Sequence, residues 1–258
     1  MSMERTASVH FCPRTHIGRV RKLNEDSILA RPEIGVWVVS DGMGGHDAGD
    51  FASQTVVETI AGLPQQLEPA ELMNGVRNAI QDAHSNILVE SARRGGVTIG
   101  ATVVSLILAN EHFVCLWAGD SRLYLLRGGV LTMVSTDHSI VAALVENGQL
   151  TWDEAERHPQ SNAITRAVGV GEADIEIDKV RGRVQPGDRF LLCSDGLTKY
   201  ASAAVLERLL AAGPVETAAD RLLEYALSGG GADNISLIVI EVPGTLPDDT
   251  AVLDTARP

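Results

Sequence analysis

Four aspartates in this chain share one kind of position. Asp41 closes an apolar run over 34–40 and is followed by Gly42. Asp195 follows a second run over 190–193 and precedes Gly196. Asp120 separates two apolar runs in Gly119-Asp120-Ser121, and Asp233 opens a last one in Asp233-Asn234-Ile235-Ser236. Glu25-Asp26 add a fifth acidic point at the head of another run. Aspartate and glycine at strand ends are ordinary turn chemistry, so each alone reads as a turn. As a set they read differently, because strand ends gather at the rim of a sheet, where sites form on a rigid scaffold.

If these acids converge, they need a cation. Two carboxylates ~4 Å apart repel by about 4 kcal/mol at an effective dielectric near 20. Either their pKa values rise or a metal ion neutralises them. Oxygen ligands without clustered histidine or cysteine select hard ions such as magnesium, manganese or calcium. The glycines after Asp41 and Asp195 let backbone approach closely, so a carbonyl oxygen can join the ligands. Such an ion pair suits phosphoryl chemistry, in which it activates water and clamps phosphate oxygens. A guanidinium fork matches two phosphate oxygens, and Arg21, just upstream of Glu25-Asp26, is the candidate.

The elements that must position these residues follow from periodicity. Strands are expected over 7–12, 27–31 and 34–40, the last ending at Asp41. Helices are expected over about 49–63 and from Pro69 onward. In the second helix, Leu72, Val76, Ile80, Ala83 and Ile87 form one amphipathic stripe. Short β-prone runs over 98–108, 113–118, 123–127 and 130–134 read as an antiparallel meander of hairpins. A short helix from Ser139, strands near 175–184 and 189–193, helices over 202–212 and 214–228, and a strand over 234–242 complete the chain. Strands come in blocks and helices in pairs, which argues for an α+β layered fold on antiparallel sheets.

Composition narrows the function. A formal charge of −13 over 258 residues argues against nucleic-acid binding, which wants a basic face. No apolar run reaches the ~18–20 residues of a membrane span, so no membrane association is expected. Cys12, Cys115 and Cys193 each sit in apolar runs with wide spacing and read as core thiols, which fits a reducing, cytoplasmic compartment.

Six motifs then appear in a familiar order: Arg21-Lys22-Leu23-Asn24-Glu25-Asp26, Asp41-Gly42-Met43-Gly44-Gly45-His46, Gly119-Asp120-Ser121-Arg122, Asp137-His138-Ser139, Ser194-Asp195-Gly196-Leu197 and Asp233-Asn234-Ile235-Ser236. Over about residues 7 to 242 the chain resembles the type 2C, or PPM, metal-dependent protein serine/threonine phosphatases of bacteria. The resemblance implies a central β-sandwich of two antiparallel sheets flanked by helices on both faces, a four-layer αββα arrangement. It implies two to three divalent ions, manganese or magnesium. Asp41 would bridge two ions, Asp195 and Asp233 would complete the shell of the first, and the Gly42 carbonyl would serve the second. Glu25 and Asp26 would act mostly through water, Asp120 would help hold a third ion, and Arg21 would bind the substrate phosphate. Arg21 and Asp26 are thus the expected catalytic side chains. The expected organisation is one catalytic domain over 1–243, a flap over about 141–165 and a disordered tail over 244–258. The expected partners are phosphorylated proteins and a cognate serine/threonine kinase, for a monomeric enzyme.

One departure stands out. Many eukaryotic members carry a histidine after the Asp-Gly pair, proposed as the acid for the leaving alcohol; here Met43 stands there. His46 or a metal-bound water are the alternatives. Two other functions stay open at this level: a non-catalytic phosphoprotein binder, against which the complete set of acids argues, and a hydrolase of small phosphoesters.

Overall fold

The computed structural model describes residues 9–45, 48–155, 158–160 and 163–244. In chain order the elements are β1 (His10–His16), β2 (Asp26–Arg31), β3 (Val36–Gly44), α1 (Ala48–Ala61), α2 (Pro69–Arg93), β4 (Ile99–Ala101), β5 (Val103–Ala109), β6 (His112–Ala118), β7 (Arg122–Arg127) and β8 (Val130–Met133). Then follow α3 (Ile140–Glu146), α4 (Trp152–Ala155), β9 (Asp178–Arg183), β10 (Arg189–Cys193), α5 (Asp195–Thr198), α6 (Ala203–Leu210), α7 (Val215–Ser228) and β11 (Ile235–Glu241). One sheet runs β2-β3-β5-β6-β9, with β4 paired to the far end of β3; the other runs β1-β11-β10-β7-β8. All strand pairs are antiparallel.

Side chains alternate across each strand, and here both faces are covered. In β3, Trp37 and Val39 face the second sheet; with Val104 and Leu106 of β5 they pack with Phe190, Leu192 and Ile238 across the interface. Val36 and Val38 face the other way, onto Ala52, Val56 and Ile60 of α1 and the stripe of α2. The second sheet does the same with Leu191, Leu237 and Val239 against Leu206 of α6 and Leu222 of α7. This is the expected four-layer αββα sandwich, and double coverage explains why its strands read as near-continuous apolar runs. The α2 stripe is buried along its whole length, and Cys12, Cys115 and Cys193 are buried free thiols.

Three expectations change. First, β3 does not end at Asp41. It continues through Gly42, Met43 and Gly44 because β4 supplies partners for all three, Ala101, Gly100 and Ile99. Second, the run from β5 to β8 is not one meander. β5 and β6 pair in the first sheet and β7 and β8 in the second, so Gly119-Asp120-Ser121 carries the chain from one sheet to the other. Third, β9 begins at Asp178 rather than near Ile175. Polar side chains of α2 hold the segment before it: Gln81 bonds Ala173 O and Ile175 N, and Arg77 bonds Ile177 O. His46, residues 1–8, part of the stretch read as a flap and residues 245–258 lie outside the described residues.

Candidate metal centre

Strand register brings the first acids together. Asp26 of β2 and Asp41 of β3 are cross-strand partners. Thr102, between β4 and β5, clamps the Asp41 backbone from the other side: its N–H donates to Asp41 O at 2.8 Å and its Oγ1 accepts from Asp41 N at 3.0 Å. The Thr102 hydroxyl also bonds Ser121 Oγ at 2.7 Å, which ties Asp41 to the inter-sheet crossing that carries Asp120.

The second sheet delivers the remaining acids. Asp195 opens α5 directly after Ser194, whose Oγ donates to Asp26 Oδ2 at 2.9 Å. Asp233 precedes β11. Beside it, Asn234 is 4% exposed and makes three bonds into the β1–β2 loop. Its Oδ1 accepts from Glu25 N at 2.8 Å, and its Nδ2 donates to Ile17 O and Leu23 O, both at 2.9 Å. That loop carries Arg21 and Glu25. The glycines after Asp41 and Asp195 are close-approach positions. A Cβ on Gly42 would stand 2.0 Å from Gly49 O, and one on Gly196 would stand 1.9 Å from Asn234 O.

One cleft results, lined by Arg21, Glu25, Asp41, Gly42, Asp120, Asp195 and Asp233, with Met43, Thr102, Ile164, Lys199 and Asn234 among its other walls. Every residue expected as a metal ligand or phosphate clamp reaches this cleft. Asp26 does not line it; it is buried behind Asp41, 7% exposed, with Oδ2 held by Ser194 and Oδ1 unpartnered.

The charges confirm how close the acids stand. Burial pushes Asp41 well above the usual carboxylate range, and Asp26, Asp195, Asp120 and Asp233 push it further. Burial, with Asp195 next, raises Asp120 to about 8. Burial likewise raises Asp26 to about 7, against hydrogen bonds from Ser236 and Ser194. Glu25 is raised by burial, with Arg21 opposing, and accepts a bond from the Gly49 N–H in the first turn of α1. Burial also acts on Asp233, but Lys199 and Arg21 outweigh it and hold that carboxyl below its usual range.

Two cations sit in this cleft. Arg21 Nη2 lies 2.8 Å from Asp233 Oδ1. Lys199 Nζ lies 2.8 Å from Asp195 Oδ2 and 2.9 Å from Asp233 Oδ2. With these ion pairs in place, no three His, Cys, Asp or Glu side chains among the described residues stand grouped closely enough to enclose an ion. The donor set still fits hard divalent ions. It is made of oxygens alone, burial raises the carboxyls of Asp41, Asp120 and Glu25, and the buried Asp195 Oδ1 has no hydrogen-bond partner.

Sequence reasoning passed over three residues here: Lys199, Asn234 and Thr102. The signal for Lys199 was available, since it stands four residues after Asp195, on the same face if a helical turn follows. Asp137-His138-Ser139, one of the six ordered motifs, ties several parts of this region together. Ser139 caps α3 by accepting from Ala142 N, Asp137 pairs with Arg122, and His138 Nδ1 accepts from Gly119 N at 3.1 Å, beside Asp120. Trp152 lies against the Arg122 guanidinium, 5.2 Å from its ring centroid. Met43 lines the cleft.

Known proteins resemble this chain in sequence and fold. The chain is 35% identical over 238 residues to the serine/threonine protein phosphatase PstP of Mycobacterium tuberculosis, covering 92% of this chain; it spans 46% of that relative's length. A solved structure of PppA, a regulatory component of the type VI secretion system in Pseudomonas aeruginosa, superposes with a TM-score of 0.83 at 39% identity, covering 91% of this chain and 98% of that one. The PstP catalytic domain solved with two manganese ions superposes at 0.84 with 34% identity, covering 92% and 100%. The sequence model for protein phosphatase 2C matches residues 14–226, a stretch that takes in Arg21, Glu25, Asp26, Asp41, Asp120 and Asp195. By that match, and by relatives of this identity and coverage, the chain belongs to the protein phosphatase 2C family.

Proposed function

We propose that this chain is a metal-dependent phosphatase of protein phosphoserine and phosphothreonine that opposes a protein kinase. The observation that carries the reading is the single cleft in which Asp41 and Asp120 from one side meet Asp195 and Asp233 from the other, with Arg21 at its rim. Asp41, Asp195, Asp233 and the Gly42 carbonyl would hold two ions, manganese or magnesium, and Asp120 with Asp195 a third. When bound, such ions neutralise phosphate oxygens and make water a nucleophile near neutral pH.

The chain's own groups do the rest. Arg21 is half exposed on its loop, so its guanidinium is free to turn from Asp233 to a phosphate dianion and take two of its oxygens. Glu25 in the cleft and Asp26 buried behind Asp41 would act on the ions mostly through water, and Asp26 accepts a bond from Ser194, next to Asp195. Met43 has no proton to give, so the leaving alkoxide takes its proton from another donor.

We read residues 1–243 as one catalytic domain and about 141–165 as a flap. The hydrogen bonds that close the flap's base, Ile140 N to Ala163 O and Thr165 N to His138 O, support this, as does Ile164 in the cleft wall. We also read the chain as a cytoplasmic monomer acting on phosphorylated proteins, which its free, buried thiols suit. No helix among the described residues is long and apolar enough to cross a membrane. The test is manganese-dependent release of phosphate from phosphoserine and phosphothreonine peptides. An Asp41→Asn variant as active as wild type at saturating manganese refutes the site.

A further inference from the structure

The two acids expected to share one ion are already shared by a cation. Lys199 Nζ bridges Asp195 Oδ2 and Asp233 Oδ2 at 2.8 and 2.9 Å, and Arg21 takes the other oxygen of Asp233. Asp233 is thus saturated, while Asp195 keeps one oxygen, Oδ1, with no partner. The bridge is built in. Lys199 N–H donates to Asp195 O at 2.9 Å, which holds the lysine one helical turn after the aspartate. Its side chain is 30% exposed, so the ammonium is partly withdrawn from water. Arg21, by contrast, reaches in from a loop at 49% exposure. An ion that needs oxygens from both Asp195 and Asp233 meets an ammonium in the same place.

We propose that Lys199 is a built-in competitor for the metal ion, so that ion binding at Asp195 and Asp233 is an exchange in which the ammonium must leave. In the metal-free protein Lys199 stabilises the acidic cleft; in the loaded protein the same group lowers affinity. The inference rests on the metal reading of the cleft and concerns a residue that lies outside the expected ligand set.

The test uses the full chain, stripped of metal and titrated with manganese chloride alone by calorimetry, together with thermal unfolding. Lys199→Gln binds its first manganese ion roughly tenfold more tightly than wild type, equivalent to about 1.4 kcal/mol. The same variant melts lower than wild type without metal, and manganese raises its melting temperature by more. Lys199→Arg, which keeps the charge, stays close to wild type. Lys199→Met, which keeps the apolar stem, reproduces the Gln result and serves if the Gln variant folds poorly. Equal or weaker manganese binding by the Gln and Met variants overturns this inference and leaves the metal reading standing. No manganese binding by any of the proteins, wild type included, overturns both.

Discussion

Replacing Asn234 by alanine tests whether the cleft depends on the β1–β2 loop being stapled to the second sheet. The side chain makes three bonds of 2.8–2.9 Å, to Glu25 N, Ile17 O and Leu23 O. Each contributes about 1 kcal/mol net, and the groups left behind lose their partners. Water reaches part of this loop, since Val20 and Leu23 are exposed, so the loss should be about 2–3 kcal/mol rather than the full desolvation cost. For a domain of this size that is a fall of roughly 4–12 °C in melting temperature. The loop holds Arg21 and Glu25, so manganese affinity and kcat/KM for an aryl phosphate should fall with it. Asn234→Asp sharpens the test. Its carboxylate can still accept from Glu25 N but cannot donate, and it adds negative charge beside Asp233. Without metal it should be no more stable than the alanine variant, and manganese should recover more of its stability. Differential scanning fluorimetry with and without manganese reads all four states. An alanine variant within about 0.5 kcal/mol of wild type and fully active would refute the reasoning, because changes of that size are ordinary for surface positions.

Further consequences follow from the charges and the packing. Burial raises Asp26 to about 7, Asp120 to about 8 and Asp41 well above its usual range, so their contribution to stability is full below the ordinary carboxylate range and is lost as pH rises, through about 7 to 8 for Asp26 and Asp120. Metal-free protein in a chelator should therefore lose melting temperature from about pH 5 to pH 8, and Asp41→Asn should flatten that slope while abolishing manganese-dependent turnover; an unchanged slope refutes the coupling. Arg122 and Asp137 form a two-point ion pair at 11% and 5% exposure. Arg122→Met strands a buried carboxylate and should cost about 3–5 kcal/mol by denaturant unfolding, with Asp137→Asn on the same chain recovering part of it. Gly196→Ala puts a Cβ 1.9 Å from Asn234 O and should yield little folded protein, whereas alanine at Gly187, which has nothing within 4 Å, should cost only the strain of its positive φ.

Much of this site was legible because its acids are tied to apolar strands, and buried strands announce themselves. Asp41, Asp195 and Asp233 stand where β3, the end of β10 and the start of β11 put them. What was not legible depends on partners distant in sequence. Gly119-Asp120-Ser121 looks like a hairpin turn, since a short polar break between two β-prone runs is locally the same whether the second strand pairs back or joins another sheet. The pairing of β7 with β10 decides it. Gly42 reads as a strand end, and only β4 keeps β3 extended through it. Lys199 could be placed one turn after Asp195, but only the start of β11 brings Asp233 to the same ammonium.

The same long-range contacts explain how a fold tolerates so many carboxylates in one place. The acids do not hold one another; burial raises three of them, and their neighbours' charges add to it. Neutral groups anchored in the sheets hold them from behind. Thr102 fixes the Asp41 backbone, Ser194 accepts a bond from Ser236 N and gives one to Asp26, and Asn234 fixes the loop of Glu25. None of these three is an expected ligand, and each bonds main chain with an atom that a change of charge in the cleft leaves in place. The scaffold can therefore keep its geometry whether the acids face an ammonium, protons or a metal ion. That is what a site must do if one cation is to replace another without refolding.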